Sequence, residues 1–230
     1  MKYLDPEVRP SPIKPDLSTV PEELRDVKQW CLWKYSYRND SWTKVPYQTN
    51  GKPASSTNSE TWDTFTNCSD LIDNYDGIGF VFSSESPYVG IDLDHCVKDT
   101  GDQLVLSDFA SQLVDRFDTY TELSPSETGL HIIGKAGDVD SCRGLIDGNA
   151  VEVYRSGRYF TFTGSSWTDD PAAITNVDTE ARKLVDQVRG NSKSNKQETK
   201  TIPARATGTV DARLKEALKD EKIRRLFEGD

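Results

Sequence analysis

Gly77-Ile-Gly-Phe-Val-Phe-Ser-Ser-Glu-Ser-Pro-Tyr-Val-Gly-Ile-Asp-Leu-Asp-His-Cys96 holds two strand patterns separated by a short polar loop, residues 83–87. The first pattern, 78–82, is almost wholly apolar, as a strand buried on both faces must be. The second, 88–94, alternates. Val89, Ile91 and Leu93 take one face, Asp92 and Asp94 the other, because side chains along a strand repeat every second residue. Two carboxylates so close repel each other and add nothing to a core. A hard divalent cation between them would turn that repulsion into binding, since such ions take oxygen ligands. Taken alone, the pair is more often an ordinary solvated strand face.

Composition sets the bounds. The 230 residues, 35% of them apolar, suffice for one sizeable core and an appendage. No apolar run is long enough to cross a bilayer, and residues 1–15 lack the apolar centre of a signal peptide. The expectation is a cytoplasmic protein with no membrane partner. Four scattered cysteines form no CxxC pair, which argues against a zinc ribbon and leaves them as small core residues. The net charge of -10 is awkward for a nucleic-acid binder, whose affinity comes largely from neutralised phosphates, although an acidic surface can surround a basic groove.

Along the chain, residues 1–20 read as a proline-rich extended arm, and 21–27 as a short helix with Pro21 in its first turn. Residues 29–37 and 42–48 read as a hairpin whose second strand, carrying Pro46, belongs at a sheet edge. Lys34 and Lys44 project from it. Thr57 and Glu60 have capping-box spacing for a helix with Trp62, Phe65, Leu71 and Ile72 as its apolar stripe. Apolar residues at 106, 109, 110, 113, 114 and 117 have a clear helical period. Strands follow at 119–123, 130–135, 150–154 and 158–163, the last two across the turn 155–157, then a helix from about 179 to 188. This order predicts an α+β fold, a largely antiparallel sheet with helices on a face. Four segments result: the arm, a catalytic domain over 21–189, a polar linker over 190–207, and the start of a helical domain over 208–230, with an amphipathic helix at 211–227.

Candidate chemistry gathers in the middle. Glu152 stands in an apolar strand, where an unpaired buried carboxylate would be costly. His131 opens a strand straight after the loop 124–129, whose hydroxyls and backbone N–H groups suit phosphate oxygens. Arg155 and Arg158 flank a glycine turn beside Glu152. Each has an ordinary reading as a packed or solvated residue. Together they describe three carboxylates, an imidazole, hydroxyls and cations on one sheet, which is a metal–triphosphate site.

Gly90-Ile-Asp-Leu-Asp-His-Cys96, Tyr120-Thr-Glu-Leu-Ser-Pro-Ser-Glu-Thr-Gly-Leu-His-Ile132 and Val151-Glu-Val-Tyr-Arg-Ser-Gly-Arg-Tyr-Phe-Thr-Phe-Thr-Gly164 resemble the primase-polymerases of phages and archaeal mobile elements, in the archaeo-eukaryotic primase superfamily. The resemblance runs from about 20 to 166 and includes Lys44-Val-Pro-Tyr47, Ala54-Ser-Ser-Thr57, Trp62 and Tyr75-Asp-Gly-Ile-Gly-Phe80. It implies an RRM-like, mainly antiparallel sheet joined to a small N-terminal α/β unit, with the site between them. It implies Asp92, Asp94 and Glu152 as catalytic ligands of two divalent ions, Mg²⁺ or Mn²⁺. His131 and Ser126 match the serine–histidine motif that holds the incoming nucleotide's phosphates, with Arg158 and Lys44 as further phosphate contacts. This loop reads Ser-Glu-Thr-Gly where the family pattern is Ser-Gly-Thr-Gly, so Glu127 puts a negative charge beside the phosphates.

The implied activity is template-directed nucleotidyl transfer, a DNA primase/polymerase acting on single-stranded or primed DNA with dNTP or NTP, in replication of a mobile element. The family usually continues into a helical domain and a helicase, in cis or in trans, and residues 213–230 look like the first helix of such a bundle cut short. A rolling-circle initiator would need paired histidines on one strand, which His95 and His131 are not. A metal-dependent nuclease would favour a lysine at 154, where a tyrosine stands. A catalytically silent nucleic-acid-binding module is the reading that Glu127 keeps open.

Overall fold

The computed structural model describes residues 5–167 and 173–198, with side chains as far as Asn191. Contacts divide the chain into Met1–Ser192 and Lys193–Asp230. Of the second unit only the helical backbone 193–198 is described. The helical segment expected over 208–230 and the rest of the expected linker lie outside the described residues.

Eleven strands are described, β1 (Trp30–Arg38), β2 (Ser41–Tyr47), β3 (Gly77–Phe82), β4 (Tyr88–Leu93), β5 (Val97–Asp99), β6 (Leu104–Leu106), β7 (Thr121–Leu123), β8 (Leu130–Lys135), β9 (Cys142–Ile146), β10 (Asn149–Tyr154) and β11 (Arg158–Phe162). Their ladders are all antiparallel. They form a four-stranded sheet, β11-β3-β1-β2, a five-stranded sheet, β7-β8-β4-β10-β9, and the small pair β5-β6. Helices α1 (Glu22–Arg25), α2 (Phe65–Ser69), α3 (Asp108–Phe117) and α4 (Asp178–Glu198) complete an α+β fold.

The five-stranded sheet is two-faced, as its alternation requires. Val89, Ile91 and Leu93 of β4, with Leu130, Ile132, Val151 and Val153, pack on Ala110, Leu113 and Phe117 of α3 and Ala181, Leu184 and Val185 of α4. The Ser107 hydroxyl caps α3 by accepting from the Ala110 amide, and Arg116 ties α3 to Glu180 of α4 at 2.9 Å.

The opposite face meets the four-stranded sheet through an aromatic core of Trp30, Phe80, Phe82, Tyr88, Phe160 and Phe162. Gly90 makes the close approach possible: a Cβ there would sit 2.4 Å from the Phe82 ring and 2.5 Å from Phe160. Beyond Gly90 the two sheets part, and Asp92 is the next residue of β4 on that face.

The two strands around the 83–87 loop exist as expected, but they are not paired. β3 joins the four-stranded sheet and β4 the five-stranded one. The same holds for β10 and β11, which the turn 155–157 sends to different sheets. Arg155 links the two crossings. It donates to Ser83 O at 2.6 Å, Ser84 O at 3.3 Å and Gly137 O at 3.0 Å. It is a clamp rather than a hairpin tip.

Other differences are local. The helix expected after Thr57 is three short pieces, a 3-10 turn at Ser59–Thr61, α2 capped by the Thr64 hydroxyl, and a 3-10 turn at Ile72–Asn74. Asn58, not Thr57, caps the first. β5, β6 and β9 were not anticipated, and α4 runs on past Val188 to Glu198, into the stretch read as linker. Pro46 does lie on an edge strand. The N-terminal α/β unit is not built from N-terminal residues alone, since β11 closes its sheet beside β3.

Candidate active site

Register places five polar residues in one row across the five-stranded sheet. His131 is opposite Glu122 of β7 on one side and Asp92 of β4 on the other. Asp92 is opposite Glu152, and Glu152 is opposite Arg143 of β9. Directly opposed residues of an antiparallel ladder share a face, so the row is a single chemical surface.

Asp92 and His131 of this row open onto a cleft of about 1190 Å³ where the two sheets part. Asp92, Asp94, His131, Ser126, Lys44 and Arg158 all line it. Six of the seven residues expected at the site are thereby brought together. Asp94 lies just past the end of β4 in a turn, rather than in the strand, yet still faces the cleft. Glu152, the seventh, neighbours Asp92 across the ladder but is engaged elsewhere, accepting a short hydrogen bond from the Tyr154 hydroxyl with Arg158 Nη2 3.8 Å away. Lys34 is not part of the group, since its ammonium sits over the Tyr75 ring at 4.5 Å.

Burial is the main force on the ionisable groups of the cleft. Burial pushes the Asp92 carboxyl above its ordinary range; His131 and Lys44 oppose this, while Asp94 and Glu152 add to it. Burial lowers the Lys44 ammonium, with Asp92 and Asp94 pulling it back up and Arg158 depressing it further. Burial and the hydrogen bond to Glu152 push the Tyr154 hydroxyl up to about 12.

The loop before His131 is held by its own hydroxyls. Ser126 Oγ is 3.0 Å from Ser124 Oγ and 2.9 Å from Thr128 Oγ1, and Val97 N donates to Thr128 O at 3.0 Å. Glu127 adopts a left-handed φ of +59°, a conformation glycine takes without steric cost. Its exposed side chain lines the same cleft.

Among the described residues, no three His, Cys, Asp or Glu side chains converge as a ready metal cluster. Asp92 and Asp94 nevertheless have the donor chemistry for a hard cation, two carboxylate groups whose mutual repulsion such an ion would relieve. The Tyr154 hydroxyl bonds Oε2 of Glu152, so Oε1 is the oxygen Glu152 could offer to such a cation.

No protein-family profile matches the chain. A DNA primase-polymerase of Nitratiruptor phage NrS-1 is 35% identical over 181 residues, which span 76% of this chain and 23% of that protein. The chain is a relative of a phage primase-polymerase. It spans less than a quarter of that relative's length. Among the described residues no helix is long and apolar enough to cross a membrane.

Two residues of the site do not stand out in the sequence. Phe160 stacks on the His131 ring at a centroid distance of 4.6 Å, and nothing in the β11 pattern distinguishes it from a core aromatic. Glu122 carries the signal that singles out Glu152, a carboxylate inside a strand-forming segment, but between Thr121 and Leu123 that signal is weaker than among the valines of β10.

Proposed function

We propose that Met1–Ser192 is the catalytic part of a nucleotidyltransferase that extends a primed DNA strand on a template, in replication of a mobile element. One observation carries the reading: acids suited to a cation and groups suited to a triphosphate line one cleft, Asp92 and Asp94 beside His131, Ser126, Lys44 and Arg158. The name of the phage relative supports it from an independent direction.

The fold assignment to the archaeo-eukaryotic primases belongs to the same proposal. β4-α3-β7-β8 gives the β-α-β-β beginning of an RRM-like pattern, and β10 takes the place beside β4 that its last strand would occupy. β9 stands where that pattern has its second helix, and α4 covers the same face from further along the chain.

On this reading Asp92 and Asp94 would hold Mg²⁺ or Mn²⁺, with Glu152 completing the set. Divalent ions bound there would lower the pKa of the attacking 3′-hydroxyl and neutralise charge on the departing pyrophosphate. The chain's own residues do the positioning. His131 Nε2, the Ser126 hydroxyl, Lys44 and Arg158 bind triphosphate oxygens and hold the α-phosphorus in line with the 3′-hydroxyl, which is where most of the catalysis of phosphoryl transfer lies. A helicase partner and the choice between dNTP and NTP are part of the proposal only by resemblance.

One observation favours a second reading, a nucleic-acid-binding module without catalysis: Glu127 brings a carboxylate into the cleft beside Ser126. The test is incubation of the chain with a primed template, labelled nucleotides and Mg²⁺ or Mn²⁺. Extension of the primer supports the polymerase reading, cleavage replaces it with a nuclease, and template binding with neither product leaves the silent module.

A further inference from the structure

Glu122 is fully buried, and its carboxylate collects more donors than any other acid of the sheet. The amides of Thr163 and Gly164 donate to it at 3.1 and 2.8 Å, and the Tyr120 hydroxyl at 3.0 Å. His131 Nδ1 lies 3.3 Å from its other oxygen. A buried carboxylate survives only when hydrogen-bonded this fully. Two of those donors are backbone amides just beyond β11, and Tyr120 is itself stacked on Phe162 at 5.5 Å. Glu122 is therefore fixed from three sides, and its Oε1 faces Nδ1 of the His131 ring.

We infer that Glu122 is a positioning residue for His131: its carboxylate accepts a hydrogen bond from Nδ1–H, so that Nε2, facing the cleft 4.0 Å from Asp92 Oδ1, can carry the second proton and donate it to a phosphate oxygen. Phe160 fixes the plane of the ring by stacking, and the carboxylate fixes its rotation within that plane. A histidine's second nitrogen is set in this way by the partner of the first. The inference rests on the reading of His131 as a phosphate contact, because only then does the orientation of Nε2 matter to nucleotide use.

The chain has two histidines, His95 and His131, so each ring can be followed by nitrogen NMR with the other as an internal reference. In the unaltered protein His131 Nδ1 is expected to carry a proton. In Glu122→Gln the amide oxygen can stay on the two backbone donors while its NH₂ turns to the ring, so Nδ1 must accept and the ring can no longer carry a proton on both nitrogens. His131 signals should change and His95 signals should not. The KM for nucleotide should rise at least tenfold, with binding of primed template unchanged, and the rise should vanish when His131→Ala is already present. Should Glu122→Gln fail to fold, Glu122→Asp keeps the charge, withdraws it from the ring, and is read the same way. An unprotonated Nδ1 in the unaltered protein overturns the inference, as does a Glu122 effect undiminished in the His131→Ala background. If the ring signals move but His131→Ala leaves nucleotide use intact, the positioning stands and the phosphate role of His131 falls.

Discussion

Asp92 and Glu152 stand directly opposite each other on β4 and β10, yet only Asp92 lines the cleft, because Glu152 is held by the Tyr154 hydroxyl and approached by Arg158. The acids of the site are thus unequal before any ligand arrives. Asp92 bears the repulsion, and its carboxyl is raised above the ordinary range by burial and by its acidic neighbours.

That asymmetry has a pH signature. A carboxyl whose pKa is raised on folding costs stability from the pH at which the unfolded chain ionises, and the cost is complete once the native state ionises too. The cost is absent below the unfolded value, about 3.9, and grows as pH rises toward the raised native value. Asp92→Asn should therefore increase the melting temperature at neutral pH in divalent-free buffer. The gain should shrink as pH falls into the ordinary carboxylate range, and thermal melts across pH check it.

Cation binding should act on the same residues. Mg²⁺ or Mn²⁺ should raise the melting temperature of the unaltered chain by mass action, about 2.7 kcal/mol at a hundredfold excess over Kd. The doubly substituted Asp92→Asn, Asp94→Asn protein should show no such shift in the same titration.

Glu127→Gly is expected to improve the loop in two ways. It removes a left-handed non-glycine residue, worth on the order of 0.5–1 kcal/mol after the added chain entropy is deducted. It also removes a negative charge from the wall of the cleft. Denaturant melts should show the first effect, and a lower KM for single-nucleotide insertion the second.

Gly90→Ala tests how the cleft is opened. The new methyl would collide with Phe82 and Phe160, the rings that join the two sheets next to Asp92. Overpacking of this kind costs about 1–3 kcal/mol. Equilibrium unfolding of the variant should show that loss.

Much of this was legible in the chain because strands announce their faces. The alternation of Val89, Ile91 and Leu93 against Asp92 located both the helix-covered core and the acidic face. The loop 124–129 and the strand after it placed His131 at the same site. What alternation does not encode is partnership. The loop 83–87 and the turn 155–157 look like hairpin connections, and only the long-range contacts of Arg155 and the aromatic core show them to be crossings between sheets. β9 was hidden because residues 136–147 are rich in Gly and Asp, and its pairing to β10 supplies order that local sequence does not. The helix after Thr57 was overextended because Trp62 and Phe65 have helical spacing but pack separately, Trp62 with Cys31 and Val81, Phe65 with Trp30.

Asp92 and Asp94 are the residues on which nucleotidyl transfer should depend, and single-turnover extension of a primed template measures that dependence. The unaltered chain should add nucleotides in the presence of Mg²⁺ or Mn²⁺. The Asp92→Asn, Asp94→Asn protein, folded by the same thermal melt and still binding template, should add none. Extension by the double variant at a rate near that of the unaltered chain would remove the two aspartates from the chemistry.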